Sequence, residues 1–122
     1  MNDSVVVLEK NPEVPQSLAG RLRPHFTAVL GTVSRDEMRA RVADTHPEAV
    51  VVDIEYSRLA EVESLHRDFP ELPIVCTHRV PDEAMWMAAL DAGASDICAT
   101  DEVTTVLTSV LRSASVTRGA GA

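Results

Sequence analysis

Five short apolar runs, each followed by a longer amphipathic stretch, constrain this chain more than any other feature. Val5-Val6-Val7-Leu8, Thr27-Ala28-Val29-Leu30, Ala49-Val50-Val51-Val52, Ile74-Val75-Cys76 and Ile97-Cys98-Ala99 are short, mostly β-branched and without polar alternation. Strands buried on both faces read this way, because neither face is offered to water. The intervening stretches carry helical spacing. Leu18 and Leu22 follow Asn11-Pro12, with Asn11 as cap, Pro12 and Pro15 acceptable in a first turn, and Pro24 as the stop. Ser34-Arg35-Asp36-Glu37 is a capping box ahead of Met38 and Val42. Leu59, Val62 and Leu65 form a third stripe, ended by Phe69-Pro70. Pro81-Asp82-Glu83 opens a fourth helix that closes at Gly93. Thr100 or Asp101 caps a fifth, with Val103, Val106, Leu107, Val110 and Leu111 facing inward. Strand and helix alternating five times predict an α/β fold: a doubly wound parallel sheet with helices on both faces. Right-handed crossovers favour the flavodoxin-like order 2-1-3-4-5. One domain over residues 1–113 accommodates all of this, and 114–122 reads as a flexible tail or the start of a linker.

Charge narrows the partners. Eleven Lys+Arg against nineteen Asp+Glu leave a net charge of -8, the wrong sign for a phosphate backbone or an anionic membrane surface. No apolar run approaches the roughly 20 residues of a membrane span. Met1-Asn2-Asp3-Ser4 supplies no basic region ahead of its apolar run, so a secretory leader is not expected. Cys76 and Cys98 are too few for a disulfide framework, fit a reducing cytoplasm, and read as small buried apolar residues. His25, His46 and His66 are scattered without metal-ligand spacing and read as surface residues.

In a sheet of this kind the ligand crevice lies beyond the carboxyl ends of the strands. Glu9 and Lys10 follow the first strand, Asp53 and Glu55 the third, Thr77 and His78 the fourth, and Thr100 the fifth. Asp53 stands out, since a carboxylate ending a buried apolar strand is costly without a partner. It is either neutralised by Lys10, or it is a nucleophile or metal ligand. A flavin-type site is disfavoured, because Glu9-Lys10-Asn11-Pro12-Glu13 is acidic and proline-rich where a phosphate needs small hydroxyl residues and glycine. Asp53-Ile54-Glu55 has the spacing of an Asp-x-Asp phosphatase motif, but no supporting lysine or second acidic pair accompanies it. On the fourth helix, Met85-Trp86-Met87 cannot all face the core.

Several stretches together resemble the response-regulator receiver family. Val5 to Asn11 is similar to its first strand and acidic turn, Pro47 to Asp53 to the strand ending in the phospho-accepting aspartate, Phe69 to Val75 to the approach to strand four, and Ala89 to Asp96 to the "A-L-E-A-G-A-D-D" stretch. The resemblance covers residues 4–113 and implies a cytoplasmic signalling domain of a bacterial two-component phosphorelay. It makes Asp53 the phospho-acceptor candidate, with Thr77, His78 and Thr100 around the pocket. It makes Glu9, Asp53 and Glu55 a weak Mg²⁺ site, disfavoured by Lys10, which replaces the second acid. It implies no enzyme activity beyond self-phosphorylation and dephosphorylation at Asp53. Implied partners are a histidine kinase, an output domain or protein, or a second copy in a homodimer, with contacts through Trp86, Met87 and Leu90. The site departs from the family pattern. His78 aligns with the hydroxyl residue, Thr100 with the lysine, Asp101 with the following proline and Ile97 with the switch aromatic, and the loop after Asp53 is about three residues short. The expectation is an atypical receiver acting through protein contacts, with reduced or no Mg²⁺-dependent phosphorylation. The alternative is a working phospho-acceptor modified on Asp53 by a histidine kinase.

Overall fold

The computed structural model describes residues 4–121, with side chains through Ala114. The expectation of a leaderless start rests on Met1 to Asp3, which lie outside the described residues. Five strands, β1 (Ser4–Leu8), β2 (Ala28–Thr32), β3 (Ala49–Asp53), β4 (Ile74–His78) and β5 (Asp96–Ala99), form one parallel sheet in the order β2-β1-β3-β4-β5. The helices are α1 (Leu18–Leu22), α2 (Arg35–Thr45), α3 (Leu59–Asp68), α4 (Glu83–Asp91) and α5 (Val103–Gly121). The 2-1-3-4-5 flavodoxin-like expectation is met. The 113/114 boundary falls inside α5. No helix among the described residues is long and apolar enough to cross a membrane.

Alternation along the central strands sorts the core into two layers. Val6, Leu8, Val50, Val52, Ile74 and Cys76 pack against α2, α3 and α4 through Met38, Val42, Val62, Leu65 and Ala89. Val5, Val7, Val51, Val75 and Cys98 pack against α1 and α5 through Leu18, Leu22, Val106 and Val110. Each fully buried aliphatic side chain contributes about 1.5–3 kcal/mol relative to exposure. With Phe26 the one aromatic side chain buried among the described residues, many small aliphatic contributions of this size hold the sheet. Cys76 stands opposite Ile97 and Cys98 opposite Thr77, so the two thiols project to opposite faces. Burial pushes the Cys76 thiol up to about 12, which makes it an apolar core atom rather than a nucleophile.

The expected start of α1 is corrected. Asn11 is not its cap. Residues 12–16 form turns, and Ser17 caps the helix by accepting from the Gly20 N–H at 2.9 Å. Prolines at 12 and 15 withdraw N–H donors and favour turn geometry, which leaves a five-residue helix. Pro24 does not end it abruptly but sits in a 3₁₀ turn over Arg23–His25, where its fixed φ is acceptable. α2 has the expected box: Ser34 Oγ accepts from Glu37 N at 3.1 Å, and Glu37 accepts from Val33 N at 2.9 Å. Asp82 caps α4 through the Met85 N–H at 2.8 Å. On α5, Leu111 is exposed and does not join the inward stripe. Asp96 ties α5 to β5, accepting from Ser109 Oγ at 2.7 Å and standing 3.8 Å from Arg112.

Gly93 follows α4 at φ +109, in the region that disfavours side chains, and a Cβ there would lie 2.4 Å from the His66 ring. Gly93→Ala is expected to lower stability by about 1–3 kcal/mol, read as a lower urea midpoint at unchanged slope. Adding His66→Ala should relieve the clash but leave the dihedral cost. Full recovery in the double variant would contradict the assignment.

Candidate functional site

The sheet delivers its polar groups to one edge. Asp53 ends β3, and its register partner on β4 is Thr77. By alternation Asp53 shares a face with Val51, Thr77 with Val75, and Glu9 with Val5 and Val7, which is the α1/α5 side. His78 falls on the other parity. The pocket therefore gathers Glu9, Asp53 and Thr77, while His78 turns towards the β4–α4 loop, where its Nδ1 accepts from the Val80 N–H at 3.1 Å. Thr100 follows β5 and extends the ladder by one bond, donating its N–H to the His78 carbonyl at 3.0 Å.

Each acid already has hydrogen-bond donors. Glu9 is only 7% exposed, and its two carboxylate oxygens accept from the N–H groups of Leu18 at 3.0 Å and Ala19 at 2.8 Å. It holds the start of α1. Burial raises its pKa, against the lowering by those two N–H donors. Glu55 Oε1 accepts from the Arg79 N–H at 2.7 Å, and its Oε2 accepts from Arg79 Nε at 3.0 Å. The Arg79 backbone N–H and then the guanidinium keep the Glu55 carboxyl below its ordinary range. Asp53 is half-buried and accepts from the Glu55 N–H through Oδ1 at 3.0 Å. Desolvation raises its pKa, and the Glu55 charge adds to this.

Lys10 does not neutralise Asp53. It is exposed, and among the described residues no ion pair joins the two. Lys10 lies past the end of β1, where the chain leaves the sheet, and its side chain is exposed there. The spacing identifies the edge residues, whereas the structure adds Arg79 as the partner of Glu55. Its sequence signal is a cation just after β4 facing an acid just after β3. Among the described residues, Oγ1 of Thr77 and Oγ1 of Thr100 are buried with no hydrogen-bond partner.

A divalent Mg²⁺ ion needs several hard oxygens. Among the described residues no group of three His, Cys, Asp or Glu side chains stands ready to hold a metal. To serve a metal, Glu9 and Glu55 would have to share oxygens that already accept from the α1 N–H groups and from Arg79. The residues present fit a Mg²⁺ site poorly in this arrangement.

Of the residues expected at a contact face, Trp86 and Met87 are 45% and 53% exposed, while Leu90 is half-buried. Trp86 and Met87 line a shallow groove of about 490 Å³ with Pro81, Asp82, Glu83 and Ile97.

A pH dependence follows from Asp53. Its carboxyl titrates above the ordinary 3.8 in the folded chain, so its contribution to stability is full below that value and is lost as pH rises through the folded pKa. Asp53→Asn removes the charge and keeps the shape. At pH 7 the variant should unfold at higher urea than the wild type, and the gap should close below the ordinary carboxyl range. A variant less stable at pH 7 would mean that a counter-ion compensates Asp53.

No family model and no curated protein matches the chain. Solved structures do. The signal receiver domain of a two-component response regulator from Bacteroides fragilis is 20% identical, superposes with a TM-score of 0.81, and the match covers 93% of this chain and 98% of that one. A CheY-like protein (tadZ) from Pseudomonas aeruginosa is 23% identical at a TM-score of 0.70, over 93% of this chain and 94% of that one. NtrX from Brucella abortus, solved with ADP, is 21% identical at a TM-score of 0.79; the match covers 99% of this chain and 29% of NtrX, so this chain spans under a third of that protein. Order, register and these superpositions agree: the chain has the CheY-like fold of response-regulator receiver domains.

Proposed function

We propose that the chain is an atypical receiver of two-component signalling that acts through protein contacts, without ordinary Mg²⁺-dependent phosphorylation of Asp53. One observation carries this reading. The acids that would serve a metal beside Asp53 are engaged in holding the fold, Glu9 on the α1 backbone and Glu55 on Arg79. Lys10 adds an outward charge where a second acid would be needed. Transfer of a phosphoryl group to a carboxylate requires neutralisation of the phosphoryl oxygens. Arg79, the cation best placed to help, is already paired with Glu55.

Its partners would be proteins: a histidine kinase, an output domain or a second copy. The face around Trp86 and Met87 suits such a contact, since an exposed tryptophan beside an apolar groove has the chemistry of a binding hot spot. Nothing in this reading requires a nucleic acid or a membrane, and the working compartment would be the cytoplasm. Residues 1–113 would form the domain proper, and 114–122 would lead away from it. A second reading, a phospho-acceptor at Asp53, draws support from the half-exposed Asp53 carboxylate and the spare Thr77 hydroxyl.

Beryllofluoride, which occupies the place of a phosphoryl group on an aspartate, separates the two. With Mg²⁺ present, it should give no saturable change in Trp86 fluorescence or in the amide shifts of Asp53 and Thr77, and Asp53→Asn should behave as wild type. Saturable changes abolished by Asp53→Asn would establish the phospho-acceptor reading instead.

A further inference from the structure

We infer that the Asp53 crevice is a receptor for a primary ammonium group, the side chain of a lysine supplied by a protein partner. The inference rests on the reading of the chain as a protein-binding receiver and names the partner's chemistry at that crevice.

Three observations converge on it. Asp53 is half-buried and, among the described residues, has no ion-pair partner. Beside it Thr77, 0% exposed, carries a buried Oγ1 without a hydrogen-bond partner, and register and parity put it on Asp53's face of the sheet. Thr100, one ladder step beyond β5, carries a second unpartnered buried Oγ1. A buried hydroxyl left unsatisfied is costly, so one beside a carboxylate that forms no ion pair, and a second on the same parity one strand further along the edge, mark a place suited to something that bonds to all three.

Charge and donor count select the ligand. An oxyanion would enter among Glu9, Asp53 and Glu55, with Lys10 turned outward and Arg79 engaged elsewhere. A divalent ion would need more ligands than remain. A primary ammonium has three N–H donors, matching one carboxylate and two hydroxyl acceptors. It also supplies the missing charge, and a charge-assisted bond in a partly desolvated site is stronger than a neutral one.

The mouth of the crevice points to a protein as the bearer of the ammonium. Val14, Val33, Tyr56 and Val80 are exposed apolar residues, one on each of the loops that follow β1 to β4. Tyr56 is fixed there by donating its O–H to the Val33 carbonyl. A lysine's four methylenes and the chain around it would pack on such a rim, which a free inorganic cation would not use.

The test is an amide-detected NMR titration of the full chain with n-butylammonium chloride, with tetramethylammonium chloride at equal ionic strength as the control. Butylammonium should give saturable shifts at Asp53, Glu55, Thr77 and Thr100. Tetramethylammonium, which has no N–H donor, should not. Asp53→Asn should abolish the shifts. Thr77→Val should weaken binding by about tenfold, from one lost hydrogen bond to a charged group, while its melting temperature holds or rises because an unsatisfied hydroxyl is gone. Equal responses to the two cations, or undiminished binding in Asp53→Asn, would overturn the inference. So would larger shifts in Lys10→Ala than in the wild type, because the chain's own lysine would then be the natural occupant. Mg²⁺ titrated into the same sample keeps the two claims apart. Saturable Mg²⁺ binding at Asp53 would overturn the proposed function, whereas silence towards both Mg²⁺ and butylammonium would overturn this inference alone.

Discussion

β1, β3 and β4 are covered on both faces, and the arrangement of the rest follows from that constraint. A doubly covered strand admits almost nothing polar along its length, so Val5 to Leu8, Ala49 to Val52 and Ile74 to Cys76 are uniformly apolar. Polar groups can appear only where the strands run out. Glu9, Asp53, Thr77 and Thr100 are therefore neighbours at one edge, although the sequence separates them by dozens of positions. The same constraint raises the cost of each charge there, because the ground beneath the site is aliphatic. Acids placed at that edge either find donors or lose their charge more readily.

Glu9 and Glu55 have found donors in the backbone. Glu9 binds two N–H groups of α1, a helix too short to persist without help. Glu55 grips both the N–H and the guanidinium of Arg79, linking the loop after β3 to the loop after β4. Both bonds tie these acids into the fold. On the proposed reading, the acids that a metal-dependent phosphoryl transfer would call on also stabilise the loops around Asp53. Asp53 is left half-buried and, among the described residues, without an ion pair, beside a Thr77 hydroxyl that has no hydrogen-bond partner there.

Much of the fold was legible in the sequence, because β-branched runs and helical spacing are local signals. β1, β3, β4 and the capping box of α2 follow from a few residues each. α1 was less so: its prolines are acceptable in a first helical turn, yet here they make a separate turn, and Ser17 takes over the capping. Leu111 fits the inward spacing of α5 but faces solvent, because the buried stripe runs through Val106, Val110 and Ala114 and leaves Leu111 at its margin. The edge residues of the site were readable by position. What they bind was not, since the choice between Lys10 and a backbone N–H depends on where α1 lies. Parity does separate Thr77 from His78, but only once Asp53 and Thr77 are known to be in register. Arg79 could have been paired with Glu55 on charge alone.

The central claim is that the acids at this edge serve the fold rather than a metal. Paramagnetic Mn²⁺, a stand-in for Mg²⁺ with the same preference for oxygen, tests it most directly through selective broadening of amide signals. The account predicts that the signals of Glu9, Asp53, Glu55 and Thr77 broaden no more than those of exposed acids elsewhere, such as Asp44 and Glu63. Early, saturable broadening confined to the four site residues and lost in Asp53→Asn would contradict it.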